Sequence, residues 1–169
     1  MFGKCLWEAP TQQPTLEEVA KWIEQRADEG NRVIVADPIT AAQISDRVWV
    51  DDSKFVGACK SIVRRYAVSL ILVTHPRKGA HGAVGLDDLA GGSSYQRLTQ
   101  TILWVERHGE PVKKIVKVSA GRHEIEINRT VHLCKTRNSV GVGLRLGFIF
   151  DPASLLFSEQ GIIAKKEKS

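Results

Sequence analysis

Two stretches decide the fold class: residues 33–38, V-I-V-A-D-P, and residues 69–75, S-L-I-L-V-T-H. Each is a short apolar run that ends in a polar side chain, Asp37 in the first and His75 in the second. Short apolar runs bounded by turn signals are typical of buried strands. The chain between them has helical spacing. Strand, helix and strand in this rhythm predict a right-handed crossover and two parallel strands.

Helices are expected on both sides of the first strand. Thr15 caps the first helix, and Glu18, three residues later, completes a capping box. Residues 39–52 are polar and irregular, which predicts a loop. The second helix is expected to begin at Asp52 or Ser53, where its apolar periodicity starts.

The second half of the chain changes rhythm and predicts antiparallel strands that extend the same sheet. Its strands are joined by glycine-bearing turns. The remaining elements predicted along the chain are a strand over 4–8, a long glycine-rich loop over 76–92, a helix over 93–100, and strands over 101–106, 112–118, 124–127, 130–135, 144–150 and 155–158.

Composition favours one α/β domain over residues 1–160, followed by a basic, flexible tail over 161–169. The 169 residues are 43% hydrophobic, which suffices for a packed core. No run of 18 apolar residues and no secretion signal is present, so we expect no membrane partner. The three cysteines lack C-x-x-C spacing, which argues against a zinc site or a disulfide framework and favours a cytoplasmic location.

The net charge of +5 suits a polyanionic partner. Part of this excess comes from the lysines of the tail, so the charge also fits an ordinary solvated surface. Charge by itself leaves both interpretations open.

Asp37 and His75 are candidate catalytic residues because ligands bind at the carboxyl ends of strands in open α/β sheets. A carboxylate at Asp37 can hold a magnesium-bound water, with the metal bridging phosphate oxygens. A neutral imidazole at His75 can donate one hydrogen bond to a γ-phosphate. Each residue also has a purely structural interpretation, in which Asp37 caps the turn beside Pro38 and His75 caps its strand.

The loop after His75 combines glycines with Arg77, Lys78 and His81. Such a loop can follow a phosphate backbone through charge and exposed amides, without reading sequence. A solvated surface loop remains the alternative.

Residues 135–143, K-T-R-N-S-V-G-V-G, form the most specific segment. Residues two apart in a strand share a face, so Lys135 and Arg137 are expected to project together at a hairpin tip. Arginine suits a neighbour's nucleotide because its planar fork bridges phosphate oxygens. An ordinary charged hairpin is the alternative.

Taken in order, these segments resemble the RecA-like hexameric helicases and ATPases of the DnaB and phage primase-helicase type, after their phosphate loop. V-I-V-A-D-P is similar to the Walker B strand, and L-I-L-V-T-H-P-R-K to the strand that ends in the γ-phosphate sensor. L-D-D-L-A-G-G-S-S-Y-Q-R-L-T-Q-T-I-L-W-V-E-R, residues 86–107, and K-T-R-N-S-V-G-V-G resemble two later elements of that family. The likeness covers roughly residues 5–160.

The resemblance implies a RecA-like P-loop NTPase core, a parallel sheet with flanking helices extended by antiparallel C-terminal strands. Asp37 would bind magnesium through water, and His75 would sense the γ-phosphate. Lys135 and Arg137 would complete a neighbour's active site, with Arg137 contacting its nucleotide. Cofactors would be ATP and Mg²⁺ in the intact assembly. The partners would be single-stranded DNA, bound by the loop of Arg77, Lys78 and His81, and further copies in a ring, a hexamer in the parent protein.

The chain departs from the family because no G-x-x-x-x-G-K-[ST] phosphate loop occurs in it. The nearest segment, residues 57–61, lacks the second glycine and lies in a helical pattern. The catalytic glutamate, which in this family follows the first strand after that loop, is also expected to be missing. The chain therefore lacks the P-loop strand and is expected to be inactive, without tight ATP binding, unless another chain supplies the Walker A half. A fragment of a phage or plasmid helicase, a split gene and a degenerate relative are all open, as is a silent binding module or a recombinase-like ATPase.

Overall fold

The computed structural model describes residues 13–43, 46, 48–75, 92–138 and 140–164. The chain divides into two compact units, Met1–Thr99 and Gln100–Ser169. The strand predicted over 4–8, nearly all of the loop over 76–92, and the end of the tail lie outside the described residues. In the described ranges, every helix is too short or too polar to cross a membrane.

The first unit contains the predicted strand, helix and strand. Strands β1 and β2 pair in parallel, from Val33 with Ser69 to Ala36 with Leu72. The parallel pairing confirms the crossover expected from the two apolar runs. The elements of this unit are α1 (Leu16–Asp28), β1 (Val33–Ala36), a 3₁₀ turn (Ile39–Ala41), α2 (Val48–Tyr66), β2 (Ser69–Leu72) and α3 (Gly92–Leu98).

Helix α1 begins as its sequence predicts. The backbone N–H of Thr15 donates to Glu18 Oε2 at 2.7 Å, and the backbone N–H of Glu18 donates to Thr15 Oγ1 at 3.2 Å. These two bonds form the capping box and satisfy two donors that the helix leaves without intrahelical partners.

Helix α2 begins earlier than predicted. It starts at Val48, so the loop expected over 39–52 is wrong for its last five residues and for the 3₁₀ turn. Asp52 lies one turn inside the helix and is 5% exposed. Its buried carboxylate accepts a hydrogen bond from Tyr95 on α3, a tertiary contact that local periodicity does not reveal.

The core of the first unit lies between the helices and one face of the two-stranded sheet. Ile23, Phe55 and Ile62 are nearly inaccessible there. The opposite face of the sheet is open, because Val33 and Ile71 are 63% and 51% exposed. Parallel sheets are normally covered on both faces, and among the described residues no layer covers this one.

The second unit is a separate, closed antiparallel sheet. Strand β3 pairs with β4, β4 with β5, β5 with β6, and β6 returns to β3. The antiparallel pairing is confirmed, but the expected extension of the parallel sheet is wrong, since these four strands close among themselves. They are β3 (Thr101–Val118), β4 (Gly121–Thr136), β5 (Arg145–Asp151) and β6 (Leu156–Ile163).

Strands predicted as pairs of short segments are continuous in the structure. β3 joins the segments predicted over 101–106 and 112–118, and the ladder between β3 and β4 shifts register between Arg107 and Val112. Arg107 pairs with Arg129 and Val112 pairs with Ile127, so residues 108–111 of β3 lie opposite a single residue of β4, Asn128. The break in the hydrophobic pattern therefore marks an irregularity within one long strand.

Gly161 is required where β6 closes the sheet against β3. It has a φ of +125°, and a Cβ there would lie 2.8 Å from the Lys117 carbonyl oxygen and 2.8 Å from Val118 Cγ1. Both the backbone conformation and the space exclude a side chain. The closure also buries Val116, Ile127 and Ile163 in a small core.

We predict that Gly161→Ala destabilises the protein by about 1–3 kcal/mol, because the new Cβ meets a backbone carbonyl in a conformation that non-glycine residues avoid. Gly109→Ala is the matched control, since a Cβ at Gly109 meets no atom within 4 Å. Urea unfolding of both variants measures the difference. Equal midpoints would contradict the role assigned to Gly161.

Candidate nucleotide and nucleic-acid site

Asp37 and His75 lie at the same edge of the parallel sheet. Asp37 directly follows β1, and His75 follows β2 by three residues. Val73 joins the two strand ends, because its N–H donates to Ala36 O and its carbonyl accepts from the N–H of Ile39, both at 2.9 Å. The expected placement of the two polar residues at one carboxyl edge is therefore confirmed.

Both side chains at this edge are exposed, so a ligand can reach them. A carboxylate oxygen is a donor that Mg²⁺ accepts, and Mg²⁺ commonly uses one or two carboxylates together with phosphate oxygens. Asp37 fits that requirement. Within the described ranges, no group of three or more His, Cys, Asp or Glu side chains could hold a metal by itself.

Lys135 and Arg137 lie at the end of β4 in the second unit. Lys135 pairs with Ile102, and the N–H of Arg137 donates to the Gln100 carbonyl at 3.1 Å, so the ladder continues one residue past the strand. Lys135 is half-buried and Arg137 is exposed. The predicted strand end with two nearby cations is present.

The turn after Arg137 uses its glycines as predicted. Gly141 and Gly143 have φ values of +127° and +85°. Leu133 closes the turn, since its N–H donates to Leu144 O and its carbonyl accepts from the N–H of Gly143, both at 2.9 Å. The segment is therefore a hairpin into β5.

Asp37 and His75 follow two paired strands at one edge in the first unit. Lys135 and Arg137 lie two residues apart at the end of β4 in the second unit. Arg77, Lys78 and His81, the candidate nucleic-acid residues, lie outside the described residues.

A buried acid that sequence reasoning missed lies between α2 and α3. The hydroxyl of Tyr95 donates to Asp52 Oδ1 at 3.3 Å, whereas Oδ2 has no partner among the described residues. Burial raises the pKa of Asp52, and the hydrogen bond from Tyr95 partly opposes this. The pKa of Tyr95 is also raised, by its own burial and then by the Asp52 charge.

A polar network that was also missed joins β3 to β4 beside the buried Thr130. Glu106 Oε2 is 2.8 Å from His132 Nε2, and His108 Nε2 is 2.8 Å from Thr130 Oγ1. Glu106 Oε1 lies 3.8 Å from His108 Nδ1. The order of hydroxyl, imidazole and carboxylate matches that of a nucleophilic triad. Thr130 is only 2% exposed, so no substrate can reach its hydroxyl, and the network links the two strands instead.

A signal for this network was present in the sequence. Glu106 and His108 are two residues apart, as are Thr130 and His132, and that spacing puts each pair on one face of its strand. The register between the two strands, which sequence does not provide, brings the pairs together. Asp52 gave no such signal, because an acid near a helix start is most often a cap.

The two described thiols lack the features of a nucleophile. Cys59 is buried in the helical core, and burial raises its pKa to about 12. Burial also raises the pKa of Cys134. Both groups are therefore held in the unreactive thiol form at neutral pH.

Comparison with known proteins gives no match to any protein-family model and no significant match to any curated protein.

We predict that Asp52→Asn becomes more stabilising, relative to the wild type, as the pH rises from about 4 to about 7. The pKa of Asp52 is raised above its ordinary value of 3.8, so the folded protein resists ionisation that the unfolded chain undergoes freely. As the pH rises above 3.8, ionisation of Asp52 therefore favours the unfolded chain and lowers the free energy of unfolding of the wild type. Urea unfolding at several pH values measures it.

The matched control is Asp28→Asn, an exposed position at the end of α1. A stability difference between wild type and Asp52→Asn that stays constant with pH would contradict the prediction.

Proposed function

We propose that the chain is the C-terminal half of a RecA-type, ATP-driven DNA motor of the replicative helicase kind, with a RecA-like core. The observation that carries this proposal is the edge where Asp37 and His75 follow two parallel strands joined through Val73. An ATPase of this kind needs a carboxylate for its metal and a polar sensor beside it, at the carboxyl ends of adjacent strands. The four resembling segments, in their order, support the same function.

In this proposal, Asp37 holds a water of the Mg²⁺ ion that accompanies ATP. The bound metal supplies charge neutralisation at the phosphate oxygens. His75, on the neighbouring strand, donates a hydrogen bond to the terminal phosphate and loses that acceptor when the phosphate leaves. The loop that follows His75 contains Arg77, Lys78 and His81, which would contact single-stranded DNA through its phosphates.

Lys135 and Arg137 act on a neighbouring subunit's nucleotide. They lie at a strand end that leads into a hairpin, and Arg137 is exposed. A guanidinium can donate two parallel hydrogen bonds to phosphate oxygens and stabilise the charge that develops during transfer. Contacts of this head-to-tail kind close into rings, and a hexamer is the assembly that the resemblance implies.

Another segment must supply the phosphate loop, because the chain contains no such motif. The open face of the parallel sheet supports the existence of such a segment. Val33, Val35 and Ile71 expose apolar surface there, and a strand–helix layer carrying the Walker A half would cover it. This chain alone is then inactive.

A second candidate is a catalytically silent binding or assembly module of RecA-like fold. The missing phosphate-loop motif favours it. In that case Asp37 has no role in nucleotide binding, and the chain binds nucleic acid or a partner ATPase.

We predict that the isolated chain does not bind a non-hydrolysable ATP analogue with magnesium in titration calorimetry, because the phosphate loop is absent. Binding that Asp37→Ala removes, and that Asp28→Ala leaves intact, would show that the chain completes a phosphate site of its own. Binding that is indifferent to Asp37→Ala would contradict the metal role of Asp37.

We predict that Arg137→Ala lowers the ATPase rate of the assembly, with the phosphate-loop segment supplied, by about 10³-fold or more. Because the arginine acts on a neighbour, mixing inactive Arg137→Ala and Asp37→Ala subunits should restore activity at about one quarter of the interfaces. Steady-state ATP hydrolysis measures both effects.

The control for this experiment is Lys54→Ala, which removes an exposed cation of α2. Full activity of Arg137→Ala, or no recovery in the mixture, would contradict an arginine acting between subunits.

A further inference from the structure

Two arginines lie side by side on the outer face of the antiparallel sheet. Arg107 on β3 is paired directly with Arg129 on β4. Like charges at directly opposite positions of an antiparallel pair destabilise it. No ion pair joins either arginine to a carboxylate of the described residues. No described carboxylate therefore neutralises the repulsion between these two arginines.

Arg129 lies over an aromatic ring. Its guanidinium carbon lies 5.1 Å from the centroid of Phe150, and its Nη1 donates to the Asn128 carbonyl at 2.8 Å. Asn128 also fixes Phe150, since its side-chain amide donates to the Phe150 carbonyl at 2.9 Å and accepts from the Phe150 N–H at 2.8 Å. Asn128 thus holds Arg129 through its backbone carbonyl and Phe150 through its side-chain amide.

Three phenylalanines continue this face across β5 and β6. The ring centroid of Phe157 lies 5.2 Å from that of Phe148 and 5.4 Å from that of Phe150. Phe148 is also the cross-strand neighbour of Arg129. Phe157 remains 47% exposed. Aromatic surface next to paired cations is therefore open to a ligand.

We propose that these residues form a binding surface for single-stranded nucleic acid. We call it the arginine–phenylalanine face; it consists of Arg107, Arg129, Phe148, Phe150 and Phe157. Exposed aromatic rings stack unpaired bases, and guanidinium groups bind the phosphates between them. An acidic peptide would satisfy the arginines but not the phenylalanine rings. Glu159 on β6 lies opposite Phe148 and adds a negative charge there. We therefore expect the phosphates of the nucleic acid to run along the two arginines.

The arginine–phenylalanine face and the proposed motor would both bind single-stranded nucleic acid, but through different residues. The proposed motor contacts DNA through Arg77 and Lys78, whereas this face lies on the strands of the second unit. Substitutions in the two places therefore separate the two proposals.

The first experiment measures fluorescence anisotropy of a labelled oligothymidylate, and of the matching oligouridylate, with the full chain over a range of salt concentrations. In Arg107→Ala/Arg129→Ala we expect affinity to fall about 10-fold or more, and the slope of log K against log salt to decrease by about 1.4, since each single-strand phosphate contact contributes about 0.7. Lys54→Ala/Arg64→Ala is the control because it removes the same charge from exposed positions of α2. It should bind as the wild type does.

The second experiment tests stacking separately from charge. Phe157→Ala should weaken binding about 5- to 150-fold, as for other stacked bases, with the salt slope unchanged. Thermal unfolding accompanies each variant. Arg107→Ala alone removes the repulsion and leaves the contacts of Arg129 with Phe150 and Asn128 in place, so its melting temperature should equal or exceed that of the wild type. A purely structural role for the arginine pair predicts a lower melting temperature.

Three results would overturn the proposal: no binding by the wild type, equal loss in the control double variant, or loss in Arg77→Ala/Lys78→Ala with none in the arginine variant. The last result would support DNA binding by the loop of Arg77 and Lys78 and contradict binding by the arginine–phenylalanine face. Binding of one oligonucleotide and not the other supports the face and assigns it to DNA or to RNA.

Discussion

The parallel pairing of β1 with β2 is the constraint on which the candidate nucleotide site depends. Parallel neighbours require a crossover, and α2 supplies it. The register that pairs Ala36 with Leu72 brings both strand ends to one edge. Asp37 and His75 follow the strands at the same edge only through that register, although 37 residues separate them along the chain. A slip of one residue would reverse which side chains face the helices.

The antiparallel unit depends on a different constraint, which is closure. Once β6 pairs with β3, each of the four strands has a partner on both sides over part of its length, so the edges that promote aggregation are partly paired. Closure needs glycine at Gly161 and a small residue at Gly147, where a Cβ would lie 3.1 Å from Ile127 Cγ2. It also brings Thr130 into the interior, beside His108. Arg107 remains exposed opposite Arg129.

Prediction from sequence succeeded where the determining interactions are local. The capping box at Thr15 involves residues three apart, and the turn glycines Gly141 and Gly143 have the positive φ values that such a turn demands. Prediction from sequence failed where a contact between distant residues determines the structure. The second helix was expected to begin at Asp52 or Ser53, but Asp52 lies inside it, where Tyr95, 43 residues later, donates a hydrogen bond to its buried carboxylate. In the same way, the sheet was expected to be continuous because strand pairing order is not encoded in the alternation of any single strand.

The features of the candidate site also separate into those set by local sequence and those set by distant contacts. By itself the sequence determined the types of residue at the strand ends, the absence of a phosphate-loop motif, and a hairpin with Lys135 and Arg137, because these depend on neighbours in the chain. Only the tertiary structure decided that Asp37 and His75 share an edge, that Arg107 lies against Arg129, and that Phe150 lies under a guanidinium. The physical reason is register: which residues of two strands face each other is set by the summed packing and hydrogen bonding of the whole sheet.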